Sequence, residues 1–184
     1  SPWATDHALR SRCLRQLRDG LQERIEELRK ITVSEVGCPI SMTYGPGLDD
    51  CVKWLGDYAN FLDGYEWKTD MGVAEVMGSK TQRWILREPA GVMAAITPWN
   101  VPNDINLKKL GWAMAAGCTV VLKAAPTTSW CANFLGEIIA TKTDVPAGAV
   151  NILTSGDNAA IGEMLTADPR VDMVGFTGST GVGK

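Results

Sequence analysis

The sequence predicts an α/β fold built on a doubly wound parallel sheet, with a helical N-terminal region and a β excursion ahead of it. Three observations carry this reading. Up to about Leu62 the apolar residues recur at spacings of three and four; between Tyr65 and Glu88 that period disappears; after Gly91 short apolar runs alternate with helix-period stretches. Continuous apolar runs separated by helices are the pattern of strands buried on both faces of a parallel sheet.

In the first region, Leu9, Cys13, Leu17, Leu21, Ile25 and Leu28 form one apolar stripe, which predicts a single amphipathic helix with Thr5 or Asp6 as its N-cap. Arg10, Arg12, Arg15 and Arg18 fall off that stripe and read as a solvated face rather than a phosphate-binding patch. Gly37 to Gly47, with Pro39, Gly45 and Pro46, reads as a loop. Asp49 to Leu62 reads as a second helix, with Val52, Leu55, Tyr58 and Leu62 facing inward. In the excursion, Thr81 to Arg87 alternates with strand propensity and stops before Pro89.

Beyond Gly91 the predicted strands are Val92 to Ile96, Thr119 to Leu122, Val150 to Leu153 and Met173 to Phe176. Helices are expected over Asp104 to Ala116, Ser129 to about Thr141, and Ala159 to Leu165. Ligands of such sheets bind beyond the carboxyl ends of the strands. That rule directs attention to Thr97–Asn100, Lys123–Pro126, Thr154–Asp157 and Thr177–Gly183.

Composition narrows the function. With 18 Lys+Arg against 21 Asp+Glu the net charge is −3, which argues against a nucleic-acid or anionic-lipid surface. A single histidine, His7, leaves little for a His-rich metal site or a Ser-His-Asp triad, and no metal is expected. The five cysteines are scattered and never form a C-x-x-C pair, so they read as reduced thiols of a cytoplasmic protein rather than a disulfide or zinc framework. No apolar run is long enough to span a membrane, and the opening Ser1-Pro2-Trp3 has neither the basic region nor the apolar run of a signal peptide.

The last strand end, Phe176-Thr177-Gly178-Ser179-Thr180-Gly181-Val182-Gly183-Lys184, carries the most chemistry. Glycines after a strand let backbone N–H groups approach a phosphate, and a following helix N-terminus adds positive potential. Gly178 to Lys184 also has the G-x-x-x-x-G-K spacing of a P-loop. A P-loop, however, normally opens its sheet, whereas three strand–helix units precede this turn. A nucleoside-triphosphatase fragment binding ATP at Gly178–Lys184 and a non-catalytic nucleotide-binding module are the alternatives.

Ile96-Thr97-Pro98-Trp99-Asn100-Val101-Pro102, Lys123 at the next strand end, and the Phe176-Thr177-Gly178-Ser179-Thr180 turn together resemble the aldehyde dehydrogenase superfamily. That family carries P-W-N-F-P, K-P-x-E-type and F-T-G-S-T-x-x-G motifs in this order. The resemblance runs upstream through Leu86-Arg87-Glu88-Pro89-Ala90-Gly91-Val92 and the arginine-rich first helix, and so covers nearly the whole chain. It implies a Rossmann-like dinucleotide-binding core for NAD or NADP and oxidation of an aldehyde to a carboxylic acid through a cysteine thioester. Asn100 would be the catalytic oxyanion donor. Ile96, Thr97 and Pro98 would line the nicotinamide side, Trp99 would lie against the cofactor near its phosphates, Lys123 would bind the adenosine ribose, and Gly178 and Ser179 would hold the pyrophosphate.

The departures from the family pattern bear on these roles. Val101 replaces the usual Phe, Ala124 the usual Pro, and Pro126 stands where many members carry a ribose-binding Glu, which leaves NAD against NADP open. The family's nucleophilic Cys and water-activating Glu lie beyond the glycine turn, and none of the five cysteines has the nucleophile's context. The expectation is therefore a fragment of an enzyme, inactive alone and without its catalytic domain. Residues 1–64 would be the helical part of the cofactor domain, 65–90 an oligomerisation-type excursion implying a homo-oligomer, and 91–184 the dinucleotide-binding core.

Overall fold

The computed structural model describes residues 1–183. A short helix, α1 (Pro2–Thr5), leads into α2 (His7–Glu23), whose N-cap is Asp6; the carboxylate accepts from Leu9 N at 2.8 Å. The stripe expected to run along one helix is divided. At Arg24 the backbone leaves the helix (φ −114, ψ 25) and α3 (Ile25–Val36) begins on a new axis. The guanidinium of Arg24 fixes the corner, donating to Glu27 of α3 and to Glu137. An apolar period survives a bend of this kind, so spacing alone does not reveal it.

The solvated-face reading of the arginines holds for Arg12, Arg15 and Arg18, which pair with Asp144, Asp63 and Asp19, and fails for Arg10. Arg10 is fully buried and donates to the carbonyls of Ala115 (3.0 Å), Trp3 (3.0 Å) and Ala4 (2.9 Å). Helix C-terminal carbonyls lack intrahelical donors and attract cations, so two helix ends take up this side chain without a carboxylate.

The expected loop from Gly37 to Gly47 contains one helical turn, α4 (Ile40–Thr43), against which Arg29 is clamped by the Thr43 carbonyl and hydroxyl. Helix α5 (Asp49–Asp63) buries Val52, Leu55, Tyr58 and Leu62 as its spacing predicts. The extended β excursion is an antiparallel hairpin of β1 (Lys68–Val76) and β2 (Ser79–Leu86). Its two-residue turn, Met77-Gly78, has φ of 50 and 79, the double positive φ that matches strand twist in tight hairpins. Most of both arms is exposed, and a two-stranded ribbon is marginal by itself.

The remaining elements are β3 (Val92–Ile96), α6 (Pro102–Ala116), β4 (Thr119–Lys123), α7 (Ser129–Lys142), β5 (Val150–Leu153), α8 (Asn158–Ala167) and β6 (Met173–Phe176). The four core strands are parallel in the order β5-β4-β3-β6. Sequence order runs outward from β3 to β5, then returns to β6 on the other side of β3, so the winding reverses between β3 and β6. On one face Met93, Ala95, Val120 and Leu122 join the main core with α6 and α7, and α2, α3 and α5 pack outside them. Gly111 makes the α5–α6 contact possible: a Cβ there would stand 2.3 Å from the Tyr58 ring. The other face is thinner than continuous apolar runs imply. Ala94, Ile96 and Leu165 of α8 are buried outside the main cluster, while Leu153, Val174 and Phe176 remain partly exposed.

Candidate functional site

The register aligns Leu153, Lys123, Ile96 and Phe176 in one row across the carboxyl end of the sheet. Side chains in a row point to the same face, here the thin one that carries α8. The ladder continues one residue further: Thr97 N donates to Lys123 O (3.2 Å), Thr177 N to Ile96 O (3.0 Å) and Ala124 N to Leu153 O (3.2 Å). All strand-end loops therefore leave the sheet at one level, and those after β3 and β6 leave on either side of the winding reversal, where a crevice opens in doubly wound sheets.

Ile96 and Thr97 are buried at the floor of this edge, Pro98 is half-buried, and Trp99 (59% exposed) and Asn100 stand out from it. Lys123 is the unusual residue. It is 2% exposed, and burial alone holds its pKa below the usual lysine value, with no opposing carboxylate. Enclosing a lysine without an ion pair is costly, and an electron-rich ligand would relieve that cost. Gly178 lies against the Phe176 ring, 2.6 Å from where a Cβ would be, so only glycine lets the turn pass so close to the strand. Ser179 is exposed, and its carbonyl accepts from Val182 N (3.2 Å) and Gly183 N (3.1 Å), curling the segment into a turn. Lys184, on which the P-loop alternative turns, lies outside the described residues.

Sequence reasoning missed Lys109. It is half-buried on α6, burial alone depresses its pKa, and its Nζ lies 3.4 Å from the position a Cβ of Gly175 would take. It borders a concavity of about 520 Å³ that Met93, Trp112 and Met173 also line. One buried and one half-buried lysine thus flank the β3–β6 region from opposite faces. The available signal was a lysine next to the apolar stripe of a helix, which is too common to single out.

The thiols of Cys13, Cys51 and Cys131 are held in the protonated form by burial. Burial raises Cys13 to about 11 and Cys51 to about 12. Cys131, read from the sequence as a helix-face residue, is wholly buried, and burial with the nearby Glu35 carboxylate raises it as well. Cys118 is buried as a core residue. Among the described residues no group of three His, Cys, Asp or Glu side chains could hold a metal, and no helix is long and apolar enough to cross a membrane.

Comparison with known proteins converges on one family. A family model described as the aldehyde dehydrogenase family matches residues 2–184. Mitochondrial succinate-semialdehyde dehydrogenase from Mus musculus is 35% identical over 179 residues, which are 95% of this chain and 33% of the mouse protein. Among solved structures, an NAD-dependent aldehyde dehydrogenase from Sinorhizobium meliloti superposes with a TM-score of 0.89 at 37% identity, over 99% of this chain and 35% of the other. An NADP-dependent enzyme from E. coli superposes with a TM-score of 0.84 at 32% identity, over 95% and 35%. The chain spans about a third of the length of these relatives. With the motif order, the strand order and the family match in agreement, the chain belongs to the aldehyde dehydrogenase family.

Proposed function

We propose that this chain is the dinucleotide-binding part of an NAD(P)-dependent aldehyde dehydrogenase that oxidises an aldehyde to a carboxylic acid. The observation that carries the reading is Lys123: a largely enclosed lysine, without a salt bridge among the described residues, in the strand-end row beside the winding reversal. The site's chemistry fits a dinucleotide, since ribose hydroxyls and phosphates supply the acceptors that Lys123 lacks, and Gly178 keeps the turn after β6 free of a side chain. Lys123 would hold the adenosine ribose, Gly178 and Ser179 the pyrophosphate, Trp99 the region near the phosphates, and Ile96, Thr97 and Pro98 the nicotinamide side. When bound, the nicotinamide accepts a hydride. Similarity to both NAD- and NADP-dependent proteins leaves either cofactor acceptable here, and Pro126 places no carboxylate against a 2′-phosphate.

Asn100 would donate its side-chain amide to the oxyanion that forms when a cysteine thiolate adds to the aldehyde. The high pKa values of Cys13, Cys51 and Cys131 support a nucleophile from another part of the protein. A preorganised donor of this kind is worth about 3 kcal/mol in the transition state. In the full-length enzyme Asn100→Ala should therefore lower kcat by about a hundred-fold or more while leaving cofactor affinity nearly unchanged. Unchanged kcat would remove Asn100 from the mechanism. Residues 1–64, 65–90 and 91–184 act in this reading as helical support, oligomerisation arm and nucleotide core. Free cysteines support a reducing compartment such as the cytoplasm, although the mouse relative is mitochondrial.

A further inference from the structure

We propose that Asn103 is a positioning residue that, through Thr32, fixes the first turn of α6 and with it the amide of Asn100. The inference rests on the reading of Asn100 as the oxyanion donor. Asn103 is fully buried, and its Nδ2 donates to Thr32 Oγ1 at 2.7 Å. The Thr32 hydroxyl passes its own proton to the Leu28 carbonyl at 2.7 Å, so it accepts and donates at once. Thr32 belongs to a rigid frame. One turn along α3, the Glu35 carboxylate accepts from Trp130 N and Cys131 N, each at 2.7 Å, and ties α3 to the start of α7. The order of attachment is therefore α7, Glu35, Thr32, Asn103, and then the loop that carries Asn100.

On its helical side the loop is held by burial of Pro102, by the bond from Ile105 N to Val101 O (3.2 Å) and by Asn103. The N-cap of α6, Val101, offers no side-chain cap, and the helix opens with Pro102, which has no N–H. The opposite end of the loop is held by Thr97, whose N–H donates to Lys123 O. Only Val101 and Pro102 separate Asn100 from Asn103, and the proline ring fixes one of the intervening φ angles. A tilt of the first turn of α6 therefore reaches Asn100 with little slack, and an oxyanion donor tolerates little displacement.

The test compares Asn100→Ala, Asn103→Leu, Thr32→Val and Thr32→Ser in the full-length enzyme. Asn103→Leu removes the link while Thr32 keeps its bond to Leu28, so the fold has a route to remain intact. The readouts are kcat per titrated active site, cofactor dissociation constant and thermal midpoint. The expected result is a kcat about ten-fold or more below wild type for Asn103→Leu and Thr32→Val. Cofactor affinity should stay as in wild type, Thr32→Ser should be near wild type, and adding Asn103→Leu to Asn100→Ala should cause no further loss. The inference is overturned if kcat per active site is unchanged in Asn103→Leu, if its loss multiplies with that of Asn100→Ala, or if activity falls only in step with folded protein. If Asn100→Ala itself keeps full kcat, the functional reading fails and the inference fails with it; if Asn100→Ala loses activity and Asn103→Leu does not, only the inference fails.

Discussion

Lys123 sets burial against charge, and the conflict has two consequences of opposite sign. Lys123 is 2% exposed, burial depresses its pKa, and among the described residues no carboxylate forms a salt bridge with it. Lys123→Met should then raise the thermal midpoint of the unliganded protein, because a hydrophobic side chain of similar length removes the desolvation cost. The same change should weaken NAD(P) binding by about ten-fold or more, the worth of a charged hydrogen bond. Differential scanning fluorimetry and a cofactor titration read the two effects; a lysine that serves only the fold would lower the midpoint and leave affinity alone. Lys123 and Asn100 were legible in the sequence because strand-end position and motif order coincide on them. Arg10 and Lys109 were not. Arg10 reaches the Ala115 carbonyl on another helix and Lys109 approaches Gly175 on the last strand, and charge patterning sees only neighbours along the helix.

At the scale of elements, periodicity served well where one face is buried. Strands β3, β5 and β6 begin and end where the apolar runs do, and α5 ends one residue beyond its expected limit. It failed where an element owes its form to something other than a core. The first arm of the hairpin, β1, is mostly exposed and its register is interrupted between Asp70 and Val73, so no regular alternation marks it. The hairpin is anchored at its root, where Trp67 stacks on His7 at 4.3 Å between ring centroids and Arg10 lies over the same ring. Burial, aided by Arg10 and opposed by Asp6, holds the His7 pKa below 6.5. The unfolded chain therefore takes up the proton first, and the stability tied to neutral His7 is full above 6.5 and falls as pH drops through the lower, folded value. Thermal midpoints at about pH 7.5 and about pH 5.5 should differ less in His7→Gln than in wild type; an equal loss would mean that the stack does not sense protonation. The exposed apolar residues of the arms, Val73, Trp84, Ile85 and Leu86 among them, support a self-association surface. Trp84→Lys in the full-length protein should shift its mass toward smaller species in light scattering, and an unchanged mass would place the contact elsewhere.

The whole molecule combines a well-covered sheet face with a thinly covered one, in a chain about a third as long as its relatives. Its fold class was readable in advance because parallel strands buried in a core must be apolar throughout, and that grammar survives in any segment that contains them. Its chemistry was readable only through the ordered strand-end motifs, since spacing alone left the glycine turn shared between a dinucleotide and a P-loop. In the proposed reading the chain supplies the oxyanion donor Asn100 and the cofactor cradle, while the thiols of Cys13, Cys51 and Cys131 are buried with raised pKa values. The 184-residue chain alone should accordingly give no aldehyde-dependent NAD(P)H formation, whereas the full-length enzyme should, in a spectrophotometric assay. Appreciable turnover by the chain alone, lost on mutating Cys118 or Cys131, would relocate the nucleophile. The most direct measurement is a crystal structure of the full-length protein soaked with NAD+ or NADP+. The dinucleotide should lie across the carboxyl ends of β4, β3 and β6, with Lys123 Nζ hydrogen-bonded to the adenosine ribose and the pyrophosphate against Gly178 and Ser179. A dinucleotide seated at the amino edge of the sheet, or one that leaves Lys123 buried and unpaired, would contradict the assignment of this edge as the cofactor site.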